Sequence, residues 1–217
     1  MTIPVKKRGE VFSFNERIVE SMFVHRYLDF SKNHLILEVG PGKSWLLFEL
    51  ATFGHKVVGV DLDYEYPFKH HNLKSYKMDA EDFKYKDKFD YIISISVLEH
   101  INDNKKLQNI IDNIYYHLKP KGMFIVTVPI GRKERRITTV SHIDVFEYDE
   151  WISYCKEFKL VYEEFYIRKS NTLWEKSNKN SIIESPLLSK VKYMSGVNSV
   201  GCFCFQKQWV DKFDKKI

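Results

Sequence analysis

The chain has 217 residues, 44% hydrophobic and 29% charged, with a formal net charge of +5. That length suits one domain with a sizeable core, and the balance excludes an intrinsically disordered chain. No apolar run approaches the ~20 residues of a membrane span, and residues 1–8 carry charge with no apolar stretch behind them, so no secretory leader is expected and the chain reads as cytoplasmic.

Residues 1–12 read as a loose arm, and 15–30 as an amphipathic helix with Val19, Phe23, Tyr27 and Phe30 on one stripe. Together 1–30 form an arm and helix ahead of a main domain over 31–217. A buried strand follows near 34–39, carried by the run from Leu35 to Val39. It leads through Gly40-Pro41-Gly42 into a helix near 44–54, where Trp45, Leu46, Leu47 and Leu50 take helical spacing. A second strand spans 56–61 and ends in Asp61. The stretch 62–72 is too short for a full helix. Further strands follow from Leu73 and from Phe89. Leu107, Ile110, Ile111, Ile114 and Leu118 repeat at the spacing of one helix face. Lys119-Pro120-Lys121-Gly122 then turns the chain into a fifth strand ending near Val128. Residues 148–158 read as a helix with Asp149 and Glu150 in its first turn, 159–168 as a strand, 169–198 as a polar insertion with Trp174 and Pro186, and 199–207 as a last strand.

Chemistry concentrates where strands end. Glu38-Val39-Gly40-Pro41-Gly42 is a strand–turn–helix cradle: glycines accept backbone angles that a Cβ forbids, and they let a ligand approach the main chain. A dinucleotide fingerprint would need a third glycine where Trp45 stands, and the phosphate-loop spacing is absent. What remains is an acid two residues before the first glycine, which suits a cofactor bearing an ammonium group. Asp61 lies 19 residues beyond Gly42, the distance at which such an acid meets ribose hydroxyls.

With Lys77-Met78-Asp79-Ala80-Glu81, Phe89-Asp90-Tyr91-Ile92 leading to Leu98-Glu99-His100, and Leu118-Lys119-Pro120-Lys121-Gly122, these segments resemble the class I S-adenosylmethionine (SAM)-dependent methyltransferases, in their type 11-like branch. The outer segments around Phe14 to Glu20 and Val145 to Asp149 resemble a subgroup often found beside sugar and polysaccharide synthesis. The resemblance implies an α/β, Rossmann-like, doubly wound fold with a seven-stranded, mostly parallel sheet. It implies SAM as cofactor, held by Glu38, Gly40, Pro41, Gly42, Asp61, Leu62, Asp79, Ala80 and Ser96, with Asp79 near the adenine amino group. It also implies methyl transfer to a small-molecule or glycan hydroxyl.

A hydroxyl acceptor needs a base. His142, expected in the loop after the fifth strand, is the first candidate and His100 the second. Asp144, Tyr148 and Arg17 are candidates for lining the acceptor pocket. The basic run from Arg132 to Arg136 is either a solvated rim or a clamp for a phosphate or carboxylate. No His/Cys set has metal-ligand spacing, so no metal is expected. Cys155, Cys202 and Cys204 read as buried thiols, the last two on one strand face. RNA ribose methylation, protein methylation and a silent SAM-binding partner subunit are the competing readings. Base methylation is disfavoured, because Ser96-Val97-Leu98-Glu99 stands where an amino-group base methylator carries its Pro-Pro motif. Nucleic acid is therefore not the favoured partner, and the sequence carries no signal for oligomeric state.

Overall fold

The computed structural model describes residues 16–137, 142–170, 173–183 and 197–208. Five strands run parallel: β1 (Leu35–Val39), β2 (Lys56–Asp61), β3 (Leu73–Lys77), β4 (Phe89–Ile95) and β5 (Leu118–Val128). A two-stranded antiparallel unit follows, β6 (Glu134–Ile137) with β7 (His142–Val145). Then β8 (Phe158–Ser170), β9 (Leu173–Ser177) and β10 (Ser199–Lys207) join the main sheet antiparallel. The order across it is β3-β2-β1-β4-β5-β10-β8-β9. Seven strands of this sheet answer to the expectation. The eighth, β9, lies in the stretch expected to be a polar insertion, and it extends the far edge.

The sheet carries helices on both faces, which is why its central strands read as continuous apolar runs. On one face α1 (Arg17–Tyr27) and α2 (Leu46–Thr52) pack Phe23, Val24, Leu47 and Leu50 against Ile36, Ile93, Ile125 and Val200. On the other, α3 (Asn104–His117) and α4 (Tyr148–Tyr154) pack Leu107, Ile111, Ile114 and Trp151 against Leu37, Ile92, Phe124 and Phe203. The alternation along β10 separates Cys202 and Cys204 from Phe203 and Phe205. All three cysteines are buried free thiols. The periodic face of α3 is the buried one, and its Asp103 cap accepts from the Lys105 and Lys106 amides at 2.8 and 3.1 Å. A short α5 (Lys179–Ile183) follows β9.

Two local features shape the rim of the sheet. Trp45, in the third-glycine slot, turns outward, 58% exposed, and packs its ring at a tilt on Phe68 with centroids 4.1 Å apart. Phe68 belongs to the helix-free connection 62–72, whose Tyr66 donates to the Ser44 carbonyl at 2.6 Å and so ties that connection to the cradle. The second is 130–146, expected as a loop after the fifth strand: an antiparallel pair forms there, and an isolated bridge from Ile130 to Phe146 seats it on the end of β5. The expected arm 1–12, Phe14, Asn15 and Pro186 lie outside the described residues. Among the described residues, no helix is long and apolar enough to cross a membrane.

Candidate active site

Strand order reverses between β1 and β4, and open α/β sheets bind ligands at the carboxyl ends of strands beside such a switch. Glu38, Gly40, Asp61, Asp79 and Ser96 all lie at or just beyond the carboxyl ends of β1 to β4. Gly40 and Gly42 have φ of +70° and +52°, the left-handed region that a side chain strains. They are not equivalent. A Cβ on Gly40 would lie 2.5 Å from a Val97 methyl, so this glycine lets β1 and the turn after β4 approach each other. A Cβ on Gly42 would meet nothing within 4 Å. The open space of the cradle lies over Gly42. Pro41 between them is buried.

Asp61 holds the cradle's shape. Its Oδ2 accepts from the Gly42 amide at 2.9 Å, and its Oδ1 accepts from the Asp63 and Tyr64 amides at 2.9 and 3.0 Å. Leu62 beside it is exposed. Asp79 accepts from the Glu81 amide at 3.0 Å and pairs with Lys106 of α3. Burial alone would raise its pKa; the Lys106 ammonium and the Glu81 amide outweigh that and hold the carboxyl below its usual range. The Ala80 carbonyl accepts from the Asn113 side chain at 2.9 Å, so α3 fixes the whole turn after β3.

Between the ends of β1 and β4 lies a group of acids that the sequence reading only half saw. Glu38 is 2% exposed and its Oε2 has no hydrogen-bond partner. Burial pushes its pKa up to about 7, against the pull of Arg17 and with a push from Asp61. Glu99 is equally buried, with Oε2 also unpartnered, and burial takes it up to about 8. Glu20 of α1 is fully buried and accepts from the Ser96 and Thr127 hydroxyls at 2.5 and 2.7 Å. Its pKa too is raised, by burial first, with Arg17 and the two hydroxyls opposing. Arg17 acts on all three carboxyls and donates to the Ile95 carbonyl at the end of β4. Ser96, at φ +48°, is held there by the Thr127 hydroxyl as well. Three buried carboxyls around one guanidinium leave the region short of positive charge.

The β6–β7 pair places both histidine candidates together. His142 lies on β7, where a free loop was expected. Its backbone carbonyl accepts from His100 Nδ1, so the 3-10 turn Leu98–His100 is tied to β7. Its Nε2 lies 3.0 Å from Asp144 Oδ2, within ion-pair distance but without hydrogen-bond geometry, and both side chains are largely buried. Arg135 of β6 forks onto the same carboxylate, Nε to Oδ1 at 2.7 Å and Nη2 to Oδ2 at 3.0 Å. Tyr148 faces away from this group and donates to Glu163 at 2.8 Å. Lys133 pairs with Glu150 of α4 at 2.6 Å. The basic run is thus partly internal pairing and only partly a solvated rim.

A model of the methyltransferase domain matches residues 14–161. The chain belongs to that family. No curated protein matches it, but solved structures share its fold. A 1,6-didemethyltoxoflavin-N1-methyltransferase from Burkholderia thailandensis, solved with its acceptor and S-adenosylhomocysteine, superposes with a TM-score of 0.64 at 15% identity, over 88% of this chain and 77% of that one. A SAM-dependent methyltransferase from Methanosarcina mazei gives 0.63 at 15% identity, over 85% and 96%. The N-methyltransferase NodS from Bradyrhizobium japonicum gives 0.58 at 15% identity, over 88% and 87%. The methyltransferase has the class I fold, and SAM is its cofactor.

The residues present fit that cofactor. The open space over Gly42 admits a ligand against the main chain, and the orphaned Glu38 Oε2 is an unmet acceptor at the same turn. Sequence reasoning named Glu38 and, within the basic run, Arg135 as part of a candidate clamp, but gave no role to Glu20, Glu99 or Thr127. Among the described residues no group of three or more His, Cys, Asp or Glu side chains gathers as a metal site.

Proposed function

We propose that this methyltransferase acts on a hydroxyl of a small molecule or glycan, with His142 as the base. The observation that carries the reading is the His142–Asp144 contact at 3.0 Å on a strand pinned to the turn after β4, beside the cofactor cradle. When bound, SAM supplies a methyl group already activated on a sulfonium. The chain supplies position and charge. Gly42 leaves the slot, Glu38 and Arg17 offer a carboxyl and a guanidinium to an amino-acid end, Asp61 keeps unused lone pairs for ribose hydroxyls, and the Asp79–Ala80 turn and Ser96 border the remainder. Holding two reactants in line accounts for roughly 7–11 kcal/mol of a barrier in well-oriented systems.

His142 takes the acceptor proton through the imidazole, and Asp144 stabilises the imidazolium that results. His100 orients β7 through the His142 carbonyl. The relatives named as N-methyltransferases act on nitrogen, so amines belong in the same test. The experiment is release of S-adenosylhomocysteine against sugar nucleotides, glycan fragments, small phenols, amines and RNA. Turnover with a hydroxyl acceptor that His142→Ala lowers about 10²–10⁴-fold is expected for a base. Transfer to RNA that falls steeply with salt, with a slope of roughly −0.7 to −0.9 per phosphate contacted, would replace this reading with ribose methylation.

A further inference from the structure

Asp144 serves two groups at once, and they differ in exposure. Arg135 and Asp144 are register partners across the β6–β7 ladder. His142 lies two residues along β7, hence on the same face. The Arg135 side chain is 50% exposed, whereas Asp144 and His142 are 12% and 13%. The buried carboxylate is therefore shared between a half-exposed guanidinium and a largely buried imidazole, on a strand whose backbone carbonyl is tied to His100. Arg135 is a permanent cation, so while it forks onto Asp144 it takes the charge that would otherwise stabilise an imidazolium at His142. Three residues before it, Arg132 is exposed and pairs with nothing among the described residues, while Lys133 is committed to Glu150.

We propose that Arg135 and Arg132 bind an oxyanion on the acceptor, a phosphate or a carboxylate, and that this binding frees Asp144 to arm His142. The proposal rests on His142 as the base and names the acceptor's class more narrowly: a hydroxyl compound that also carries an anionic group. A guanidinium fork suits either oxyanion, because two parallel donors match its two oxygens. With the acceptor absent, Arg135 forks onto Asp144 and shares it with His142. With the anion seated, Asp144 faces His142 alone. Among the described residues, the other charged or titratable groups around this pair include His100 on the 3-10 turn, and Lys133, Glu150 and Tyr154 at the α4 side. None of them bridges to Asp144 as Arg135 does.

The test follows His142 by NMR in the whole protein with labelled histidine, assigned by its loss in His142→Gln. It uses sodium chloride, pyrophosphate and succinate at matched ionic strength. Pyrophosphate or succinate is expected to raise the His142 titration midpoint by about half a unit or more over chloride, and the more effective of the two indicates whether the acceptor bears a phosphate or a carboxylate. Arg135→Gln is expected to raise the midpoint without any anion and to abolish the response. Arg135→Lys, which keeps the charge but not the fork, should at least halve it. Equal titration in all three salts, or a full response in either variant, overturns the proposal. Methyl transfer that survives His142→Ala would instead remove the base assignment, and that outcome is read from turnover, independently of the titration.

Discussion

Glu38→Gln separates what the cradle costs the fold from what it gives the site. In the folded protein burial takes this carboxyl from 4.5 to about 7. Between those values the folded state keeps a proton that the unfolded chain releases, so the unfolded state binds fewer protons and stability falls as pH rises through that window. The shift corresponds to about 3 kcal/mol, fully present as a penalty above pH 7 and absent below about 4. Glutamine has the shape of the neutral acid and carries no such penalty. Urea unfolding of both proteins should therefore give stabilities within about 1 kcal/mol at pH 5, with the glutamine variant ahead by about 2–3 kcal/mol at pH 8. Glu99, taken up to about 8, should leave a residual decline in the variant over the same range. SAM binding should move the opposite way, weaker in the variant and most clearly so above pH 7. A stability difference that is the same at pH 5 and pH 8 would refute the reasoning, because it would mean that Glu38 ionises in the fold as it does in water.

The remaining expectations are narrower. Asp61→Ala should weaken SAM binding by about 1–3 kcal/mol by calorimetry, the cost of removing the carboxylate proposed to accept from the ribose hydroxyls. Gly42→Val adds a side chain to open space at a positive φ, so binding should vanish with a stability loss of about 1–3 kcal/mol. Gly40→Val, which drives a methyl into Val97, should show a lower melting temperature than Gly42→Val as well as lost binding. Glu164 accepts from Arg26, Tyr27 and Tyr166, contacts Lys176 at 3.0 Å, and is held down to about 2. Its contribution is present above pH 4.5 and lost as pH falls toward 2, and Glu164→Gln should flatten acid unfolding over that range.

The central sheet was legible because its signals are local. Leu35, Ile36, Leu37 and Val39 put apolar side chains on both faces of β1, Gly40 and Gly42 have a positive φ, and the acids at strand ends follow a fixed spacing. The α3 face was legible for the same reason, a single period over fourteen residues. What escaped depends on contacts distant in sequence. Glu20 lies on α1's buried face with Phe23 and Val24, but nothing local to α1 shows that its carboxyl meets Thr127, 107 positions away. β9 is five residues of mixed character that become a strand only because β8 offers an edge. The β6–β7 pair did carry a signal, Glu134 to Ile137 and His142 to Val145 flanking a short connection, but the basic run obscured it. The same burst of charge concealed that Arg135 has its partner nine residues away.

Titration of the purified protein with SAM and with S-adenosylhomocysteine tests the central claim most directly, that residues 38–42, 61 and 79 form a working cofactor cradle. One site per chain with micromolar-range affinity, removed by Gly42→Val while that variant stays folded, is the expected result. No heat and no thermal shift with either ligand, or unchanged affinity in the folded Gly42→Val variant, would contradict it.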